Sequence, residues 1–365
     1  AGLAQTAVST APPAGGGAGC ARAGRGRAAT PLGQALARRA ARGLAHLAQA
    51  DAPVRPGHTP DTLAWTGSRL AAGVGARHMA VLLSLAQTST ETASATARMR
   101  HGKLELWIAS QAPERARRAA ARAAGLSRHD VIVYPMHAGG SFDARLDVRI
   151  AAEVATIAAT LNKPVQLTYS RWQESLAGVP RTPLSAQLDG ALSPDKVQVL
   201  GWRARLAMPA TARESGARLL DGWGIGDALG LQGSADPMAC EGALPLYRIP
   251  AKAVDHVPVA LGLPTARFRG QAHGYTAFFT ESFIDELAHL ANKEPLSFRI
   301  AMLEGQPRLV DCLSGVARLA QWDGGVEASG QGIACHRMTI GNSTGRIAIV
   351  ARAGAGARGL GVEEI

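Results

Sequence analysis

Aromatic side chains are scarce in this sequence. They make up 4% of the 365 residues, and none stands among the arginines of residues 1–60. The formal net charge is +11, of which residues 1–60 carry +6 through seven arginines and one acid, Asp51. Nucleic-acid-binding surfaces usually combine basic residues with aromatic ones. The composition therefore disfavours nucleic-acid binding and leaves binding of another polyanion by residues 1–60 as an alternative.

Cysteine is rare as well. The four cysteines, Cys20, Cys240, Cys312 and Cys335, include no C-x-x-C pair and no matching histidine spacing. Zinc ribbons and protein-ligated iron–sulfur clusters need closely spaced thiolates. The sequence therefore predicts free thiols, no metal held by protein side chains, and no iron–sulfur cluster in this chain.

Long hydrophobic runs are missing too. No apolar stretch reaches the length that crosses a membrane, so no membrane span is predicted. The pair Arg38-Arg39 is followed by Ala-Ala-Arg-Gly instead of an apolar export segment. We expect no export signal, which leaves both periplasm and cytoplasm open. The first residue is alanine, so we expect a processed or incomplete chain.

Composition divides the chain into three regions. Residues 1–90 are a basic, low-complexity N-terminal region: 1–30 are expected to be disordered, 31–49 helical and 50–75 a loop. Residues 78–87 are compatible with a short helix or strand. Regular hydrophobic patterning begins near residue 91 and continues to the last residue, with a domain boundary predicted between 325 and 326.

The segment from 103 to 169 predicts two strand–helix units. Lys103 to Ile108 alternates with period two, as in a half-buried strand. A helix is expected from Pro113 to Ala124, because proline suits a first turn. A buried strand at 131–134 and a largely buried helix at 148–161 follow, and a returning strand spans 165–169.

The second half mixes hairpins with helices. A hairpin is predicted from Ser185 to Met208, and the helix at 277–291 is expected to turn Glu281 and Asp285 away from its core stripe. The remaining predicted elements are a helix at 213–220, an extended segment at 247–259, helices at 295–304 and 307–322, and strands at 332–336, 347–352 and 362–365. The fold class is α+β, with mixed sheets and hairpins against packed helices.

Two adjacent glycines mark the turn between the strand at 131–134 and the helix at 148–161. Gly139 and Gly140 allow positive φ and close approach of a ligand to the backbone. N–H groups at the following helix start attract anions. Such turns are common, so an ordinary connection remains the alternative to an anion site.

Four sequence segments occur together in an order that resembles one known family. They are Trp107-Ile-Ala-Ser-Gln-Ala-Pro-Glu114, Gly139-Gly-Ser-Phe-Asp-Ala-Arg145, Arg267-Phe-Arg-Gly270 and Thr280-Glu-Ser-Phe-Ile-Asp-Glu-Leu287. The set is similar to the molybdopterin-binding subunit of the xanthine dehydrogenase and aldehyde oxidase family, in particular the isoquinoline 1-oxidoreductase beta-subunit type. The resemblance covers about residues 91–336.

The resemblance assigns roles to seven residues. Gln111 would match a glutamine that hydrogen-bonds an oxo ligand of molybdenum, and Arg269 an active-site arginine that steadies negative charge. The other five would lie beside the cofactor: Gly139, Gly140, Ser141, Phe142 and Gly270. Each assignment has a structural alternative. Gln111 would be an exposed glutamine in a turn, residues 139–142 an ordinary turn, and Arg269 a surface arginine in an ion pair.

Several positions depart from the family pattern. Ser141 and Asp143 stand where the family usually has glycine, and Asp143 adds negative charge unless it turns away or pairs with Arg145. Gln271 replaces an aromatic residue found in several relatives. The family's upstream His-Ala-x-Met-Glu-Pro pattern is reduced to Thr90-Glu91-Thr92-Ala93.

The resemblance implies an oxidoreductase: a molybdenum hydroxylase that oxidises an aldehyde or N-heterocycle with water as oxygen source. Its cofactor would be molybdenum–molybdopterin, in the cytosine dinucleotide form, and electrons would pass to [2Fe–2S] clusters on a partner subunit. Residues 91–325 would be the first molybdopterin-binding domain and 326–365 the truncated start of a second. The family's general-base glutamate is expected beyond residue 365, or on another chain that supplies the missing domain. A catalytically incomplete remnant without cofactor is the alternative.

Overall fold

The structure is a computed structural model that describes residues 7–9, 74–82, 89–220, 235–259, 265–326, 330–356 and 359–365. The predicted helix at 31–49 lies outside these residues, as do Cys20 and residues 50–73 of the loop predicted at 50–75, whose last two residues belong to a strand. Residues 7–9 form a short strand inside the segment expected to be disordered, because they pair with a later strand. Residues 74–82 form a strand, which resolves the helix-or-strand alternative there.

Twelve strands form three sheets in the described part of the chain. The strands are β1 Ala7–Ser9, β2 Val74–Leu82, β3 Ser94–Arg100, β4 Lys103–Ile108, β5 Val131–Pro135, β6 Val165–Thr168, β7 Leu184–Leu192, β8 Val199–Met208, β9 Ala251–Pro258, β10 Gln331–Ile340, β11 Ser343–Gly356 and β12 Gly359–Glu364. The helices are α1 Pro113–Ala124, α2 Arg149–Leu161, α3 Arg171–Ala177, α4 Thr211–Leu220, α5 His273–Leu290, α6 Pro295–Met302 and α7 Pro307–Leu319. The sheet orders are β5-β4-β3-β6, β1-β2-β7-β8-β9 and β10-β11-β12. This mixture of sheets and helices agrees with the predicted α+β class.

The four-stranded sheet carries α1 and α2 on one face. Leu104, Leu106 and Ile108 of β4 are buried in that core, as their alternation predicts. Helix α1 begins at Pro113, and Gly125 ends it with a φ of 68°. Both helix boundaries follow from local chemistry, since proline fits a first turn and glycine a left-handed end.

Strand β5 is less buried than its apolar sequence predicts. Ile132 and Tyr134 are 38% and 37% exposed, so the expectation of a buried strand is wrong. These two residues pair with Glu105 and Trp107, on the sheet face opposite the helices. The rings of Tyr134 and Trp107 stack with centroids 4.9 Å apart. A continuous apolar run therefore marks an edge strand here.

Helix α2 is buried along one face only. Its buried side chains are Ile150, Ala151, Val154, Ala155 and Ala158. Ile157 and Leu161 are exposed, which corrects the expectation of a helix that is largely buried. The main packing partners of α2 are α1 and the sheet, so Ile157 and Leu161 lie on the side that faces away from this core.

The larger core lies between the five-stranded sheet and α5. The predicted hairpin is present as β7 and β8, and its buried Trp202 packs against Phe283 of α5 at a ring-centroid distance of 5.2 Å. Helices α6 and α7 and the sheet β10-β11-β12 extend this core. Helix α5 begins four residues before the predicted start, directly after the turn at 267–271.

A buried ionic cluster corrects the expectation for Glu281. Its side chain is not turned away but buried, and it accepts hydrogen bonds of 3.0 Å from Tyr247 Oη and from Arg299 Nε. Arg299 is fully buried and also donates to Asp285 at 2.5 Å. The helical stripe alone could not reveal this, because the guanidinium comes from α6.

Two of the predicted absences can be examined within the described residues. No helix there is long and apolar enough to cross a membrane. The same residues contain no group of three or more side chains with the composition of a metal site. Cys240, Cys312 and Cys335 have free thiols.

Candidate functional site

The loop after β5 has an unusual backbone. Gly140, Phe142 and Asp143 have φ angles of 109°, 48° and 68°. A Cβ atom on Gly140 would lie 2.7 Å from Cε2 of the Phe142 ring, so glycine is required both for its φ and for the space beside the phenyl group. The sequence Gly-Gly-Ser-Phe thus folds the phenyl ring back onto its own backbone.

Glu91 fixes the start of this loop. Its Oε1 accepts the N–H of Gly139 at 2.7 Å and the Nη2 of Arg145 at 3.2 Å. Arg145 also donates through Nε to the carbonyl of Gly140 at 3.3 Å. Sequence reasoning assigned no role to Glu91, although it lies in the segment Thr90–Ala93 that retains part of the family's upstream pattern.

Gln111 lies beside the same loop, just beyond the end of β4. Its backbone N–H donates to the carbonyl of Arg145 at 3.1 Å. Its side-chain Nε2 donates to Oδ1 of Asp143 at 3.0 Å. Asp143 therefore pairs with Gln111 and not with Arg145, the partner considered from sequence, and Arg145 is ion-paired with Glu91 instead.

Arg269 reaches the loop from the distant turn that precedes α5. Its backbone N–H lies 3.4 Å from the Phe142 carbonyl, and its guanidinium carbon lies 5.6 Å from the centroid of the Phe142 ring. That distance is within the range of cation–π attraction. Gly270 in the same turn has a φ of 83° with nothing within 4 Å of an added Cβ, so glycine serves the backbone conformation there.

Two further arginines contact these loops, and one of them, Arg218, bonds to both. Arg218 of α4 donates to the carbonyls of Asp143 at 2.7 Å and Arg267 at 3.0 Å. Arg181 donates to the carbonyl of Arg269 at 2.7 Å. Both guanidinium groups lie over the buried ring of Phe268, at 5.2 Å and 5.6 Å. Sequence reasoning missed both arginines, since neither stands in a recognisable motif.

The position of Arg218 depends on how α4 begins. Asp236 Oδ2 accepts the N–H groups of Thr211 at 2.5 Å and Ala212 at 2.9 Å, which caps the helix from a distant segment. The N–H of Asp236 donates to Nδ1 of His256, and burial lowers the pKa of that histidine. His256 therefore stays neutral and donates through Nε2 to the Met208 carbonyl.

The turn carrying Arg269 is fixed on its other side by polar contacts. Arg267 donates to Glu241 at 2.5 Å and to Gln271 at 2.6 Å. Gln271, which stands where several relatives have an aromatic residue, is thus engaged within the turn. At the start of α5, Nδ1 of His273 and Nε2 of His336 are 2.8 Å apart.

The donors gathered here suit an anionic group with oxygen acceptors. Within the described part of the chain, the N–H groups of Gly140, Ser141 and Phe142 donate to no other residue. These three N–H groups, the guanidinium of Arg269 and the second amide hydrogen of Gln111 are all hydrogen-bond donors. An oxygen-rich ligand can accept hydrogen bonds from such groups. Two carboxylates lie at the loop: Glu91 is paired with Arg145, whereas Asp143 accepts from the neutral amide of Gln111 and so opposes an anionic ligand. The residues present therefore fit such a group, with Asp143 weakening the fit.

Comparison with known proteins adds independent information. Residues 74–215 match the family described as molybdopterin cofactor-binding domain. The match begins at β2, ahead of residue 91, where the first domain was predicted to start. The domain boundaries themselves stay predictions.

Two curated relatives are similar to most of this chain. The beta polypeptide of isoquinoline 1-oxidoreductase from Brevundimonas diminuta is 23% identical over 249 residues, 68% of this chain and 31% of that protein. A polypeptide of nicotinate dehydrogenase from Pseudomonas putida is 25% identical over 227 residues, 60% of this chain and 18% of that protein. The chain thus spans less than a third of the length of these two relatives.

Solved structures share the fold. Quinoline 2-oxidoreductase from Pseudomonas putida 86 superposes with a TM-score of 0.56 at 16% identity, over 74% of this chain and 37% of the other. Aldehyde oxidoreductase from Desulfovibrio gigas gives 0.54 at 20% identity, over 81% and 34%. The chain has a molybdopterin cofactor-binding domain at residues 74–215 and is similar to the molybdopterin-binding subunits of the xanthine dehydrogenase and aldehyde oxidase family.

Proposed function

We propose that this chain is the molybdopterin-binding part of a molybdenum hydroxylase that oxidises an aldehyde or an N-heterocycle. The observation that carries the proposal is the convergence of three separate segments at one place. Gln111 meets the loop at Asp143, and Arg269 meets it at Phe142. Three ordinary turns that are far apart in the sequence are not expected to lie together around unpaired hydrogen-bond donors.

The chain's own residues would bind and orient the cofactor. The N–H groups of Gly140, Ser141 and Phe142 would donate to its oxygen atoms, while Gln111 would direct its remaining amide hydrogen toward an oxo group. Arg269 would hold negative charge beside the Phe142 ring, which keeps its guanidinium in place. When bound, the molybdenum group supplies two-electron oxidation with water as the source of oxygen.

The partners follow from the resemblance to the family. In that family electrons pass to an iron–sulfur subunit with [2Fe–2S] clusters, and we propose the same partner for this chain. The free thiols Cys240, Cys312 and Cys335 in the described part are not grouped as cluster ligands, which is compatible with clusters on a partner. The general base, a glutamate in the family, would come from a further domain, on this chain or on another. We assign the cytosine dinucleotide form of the cofactor on the resemblance to bacterial relatives.

The second candidate is a remnant that keeps the fold without binding cofactor. The hydrogen bond from Gln111 to Asp143 favours it, since a carboxylate occupies one of the two amide hydrogens that the cofactor would use. A negative charge at this loop also repels an anionic cofactor.

Metal and nucleotide analysis distinguishes the two candidates. The full chain would be co-expressed with its iron–sulfur partner in a host that makes the cofactor, then purified as the complex. We expect molybdenum near one atom per chain, with cytidine monophosphate released on acid hydrolysis. Complete absence of molybdenum from the assembled complex would establish the remnant instead.

A matched pair of glutamine variants tests the site. Gln111→Ala is expected to lower the molybdenum content several-fold, because it removes a donor to the cofactor. Gln166→Ala removes an exposed glutamine from β6 of the same sheet and should leave the content unchanged. Equal molybdenum content in both variants would exclude Gln111 from the site.

A further inference from the structure

A separate cavity of about 80 Å³ lies behind the loop, between the four-stranded sheet and the segment that carries Phe268. Its walls come from both halves of the described chain. Gln111, Phe142 and Arg269 are not among its lining residues. The cavity is therefore distinct from the candidate cofactor site, although the two share the loop that separates them.

Arg145 brings a buried positive charge to this cavity. Its side chain is 7% exposed and lines the cavity wall. Nε and Nη2 donate to Gly140 and Glu91, but Nη1 donates to no residue in the described part of the chain. A donor at a cavity wall without a protein acceptor takes its acceptor from the cavity, either water or a ligand.

The start of α2 faces the same cavity. Ile150 lies in the first turn of this 13-residue helix and lines the wall, and its N–H has no acceptor among the described residues. Arg149 lines the cavity as well, and its backbone N–H is capped by Asp147 Oδ1 at 2.8 Å. The helix dipole therefore adds to the positive potential that Arg145 creates.

The charge of the wall suits a monoanion. Three arginines line it, Arg145, Arg149 and Arg218, against two carboxylates, Asp147 and Glu174. Both carboxylates already accept hydrogen bonds, Asp147 from Arg149 N–H and Glu174 from the N–H of Ala93 at 3.2 Å. Arg145 is paired with Glu91 and Glu174 with Arg171, so four arginines face three carboxylates when these partners are counted. One positive charge remains, and the acids would repel a dianion more than a monoanion.

The rest of the wall is apolar and leaves little room. Ala93, Ala109, Val179 and Phe268 contribute hydrocarbon surface. A dry cavity of about 150 Å³ holds benzene, so 80 Å³ admits only a few heavy atoms. We propose that this cavity binds a small monocarboxylate with a short aliphatic tail, of the size of acetate or propionate. Its carboxylate accepts from Arg145 Nη1 and from the start of α2.

Binding at this position has a consequence for the loop. The same guanidinium that would hold the carboxylate also holds the Gly140 carbonyl and Glu91. A ligand that satisfies Nη1 fixes Arg145 and thereby stabilises the backbone of the loop. This inference concerns binding alone and does not depend on the proposed oxidoreductase function.

Titration of the full chain at constant ionic strength tests the proposal. Propionate is expected to bind with a millimolar Kd and to raise Tm progressively with the logarithm of 1 + [propionate]/Kd. Propionamide, the neutral isostere, should leave Tm unchanged, and so should chloride. Inorganic phosphate should bind more weakly than propionate because of the two acids in the wall.

Two variants separate charge from space. Arg149→Gln removes one charge at the mouth and is expected to weaken propionate binding about five- to tenfold. Val179→Phe fills the cavity without touching a charge and should abolish binding. Arg308→Gln removes an exposed arginine from the first turn of α7 and serves as the matched control.

The outcomes decide between a ligand site and a water-filled cavity. An equal response to propionate and propionamide, or a Kd unchanged in both Arg149→Gln and Val179→Phe, would overturn the proposal. Tighter binding of phosphate than of propionate would replace the monocarboxylate by a phosphate-like anion and so also overturn it.

Discussion

The side-chain amide of Gln111 donates a 3.0 Å hydrogen bond to the carboxylate of Asp143, a residue held in the left-handed backbone region with a φ of 68°. Asp143 stands where the family usually has glycine. One substitution thus places both a strained backbone and a negative charge at the loop that would hold the cofactor. Whether this chain binds cofactor depends largely on this pair.

Replacing Asp143 by glycine should favour cofactor binding. The change frees the amide of Gln111, removes a like charge and relieves about 1 kcal/mol of left-handed backbone strain. We expect molybdenum per chain in the purified complex to rise. Asp143→Asn keeps an acceptor for Gln111 but removes the charge, so an equal rise in both variants would assign the effect to charge alone. Asp311→Asn, at an exposed position of α7, should change nothing.

Alanine at Gly140 should destabilise the loop more than alanine at Gly102. Both glycines have positive φ, 109° and 74°, but an added Cβ meets the Phe142 ring at 2.7 Å only at Gly140. We expect a loss in the free energy of unfolding of about 1 kcal/mol for Gly102→Ala and of about 2–4 kcal/mol for Gly140→Ala. Urea unfolding measures both. Equal losses would mean that the phenyl ring moves aside without cost.

Removing Arg299 should be among the most destabilising single changes in the larger core. Arg299→Met leaves the buried carboxylate of Glu281 without its countercharge, and the expected loss is about 3–5 kcal/mol. The double variant Glu281→Gln with Arg299→Met should recover part of this loss. Thermal unfolding followed by circular dichroism provides the comparison. A double variant no more stable than Arg299→Met would show that packing and not charge determines the loss.

Acidification should weaken the fold through His336. Burial is the largest cause that lowers its pKa, to about 4, and His273 and Arg337 lower it further. The unfolded chain, with a histidine pKa near 6.5, takes up this proton first. The stability that the neutral His336 contributes is therefore complete above about pH 6.5 and is lost as the pH falls toward 4.

Comparison of variants isolates this contribution from that of the acidic residues. Between pH 7.5 and 4.5 the wild-type chain should lose more of its free energy of unfolding than His336→Gln does, by about 1–2 kcal/mol after allowance for partial exposure. His129→Gln, which removes an exposed histidine, should behave as the wild type. An identical pH dependence in all three proteins would contradict the assignment.

Local chemistry was sufficient for the elements closest to the site. The alternation from Lys103 to Ile108 and the positions of Pro113 and Gly125 predicted β4 and α1 with their boundaries, because strand period and helix termini depend on neighbouring residues. The apolar run at 131–134 led to the wrong prediction of a buried strand, because an edge strand with one covered face can have the same composition as a fully buried strand.

The burial of charged side chains could not be predicted from the sequence. Glu281 lies in a helical pattern that places it away from the apolar stripe, yet it is buried because Arg299 comes from another helix to meet it. Glu91 and Arg218 were missed for the same reason, as each acts through partners that are far away along the chain.

The sequence by itself determined which residues the site could use: a glutamine after a strand, two glycines with a phenylalanine in a turn, and an arginine beside a glycine before a helix. Tertiary structure alone decided that Arg269 lies over Phe142 and that Asp143 takes the amide of Gln111. The reason is physical. Backbone conformation follows from local sterics, whereas the partner of a charge is fixed only when packing brings distant segments together.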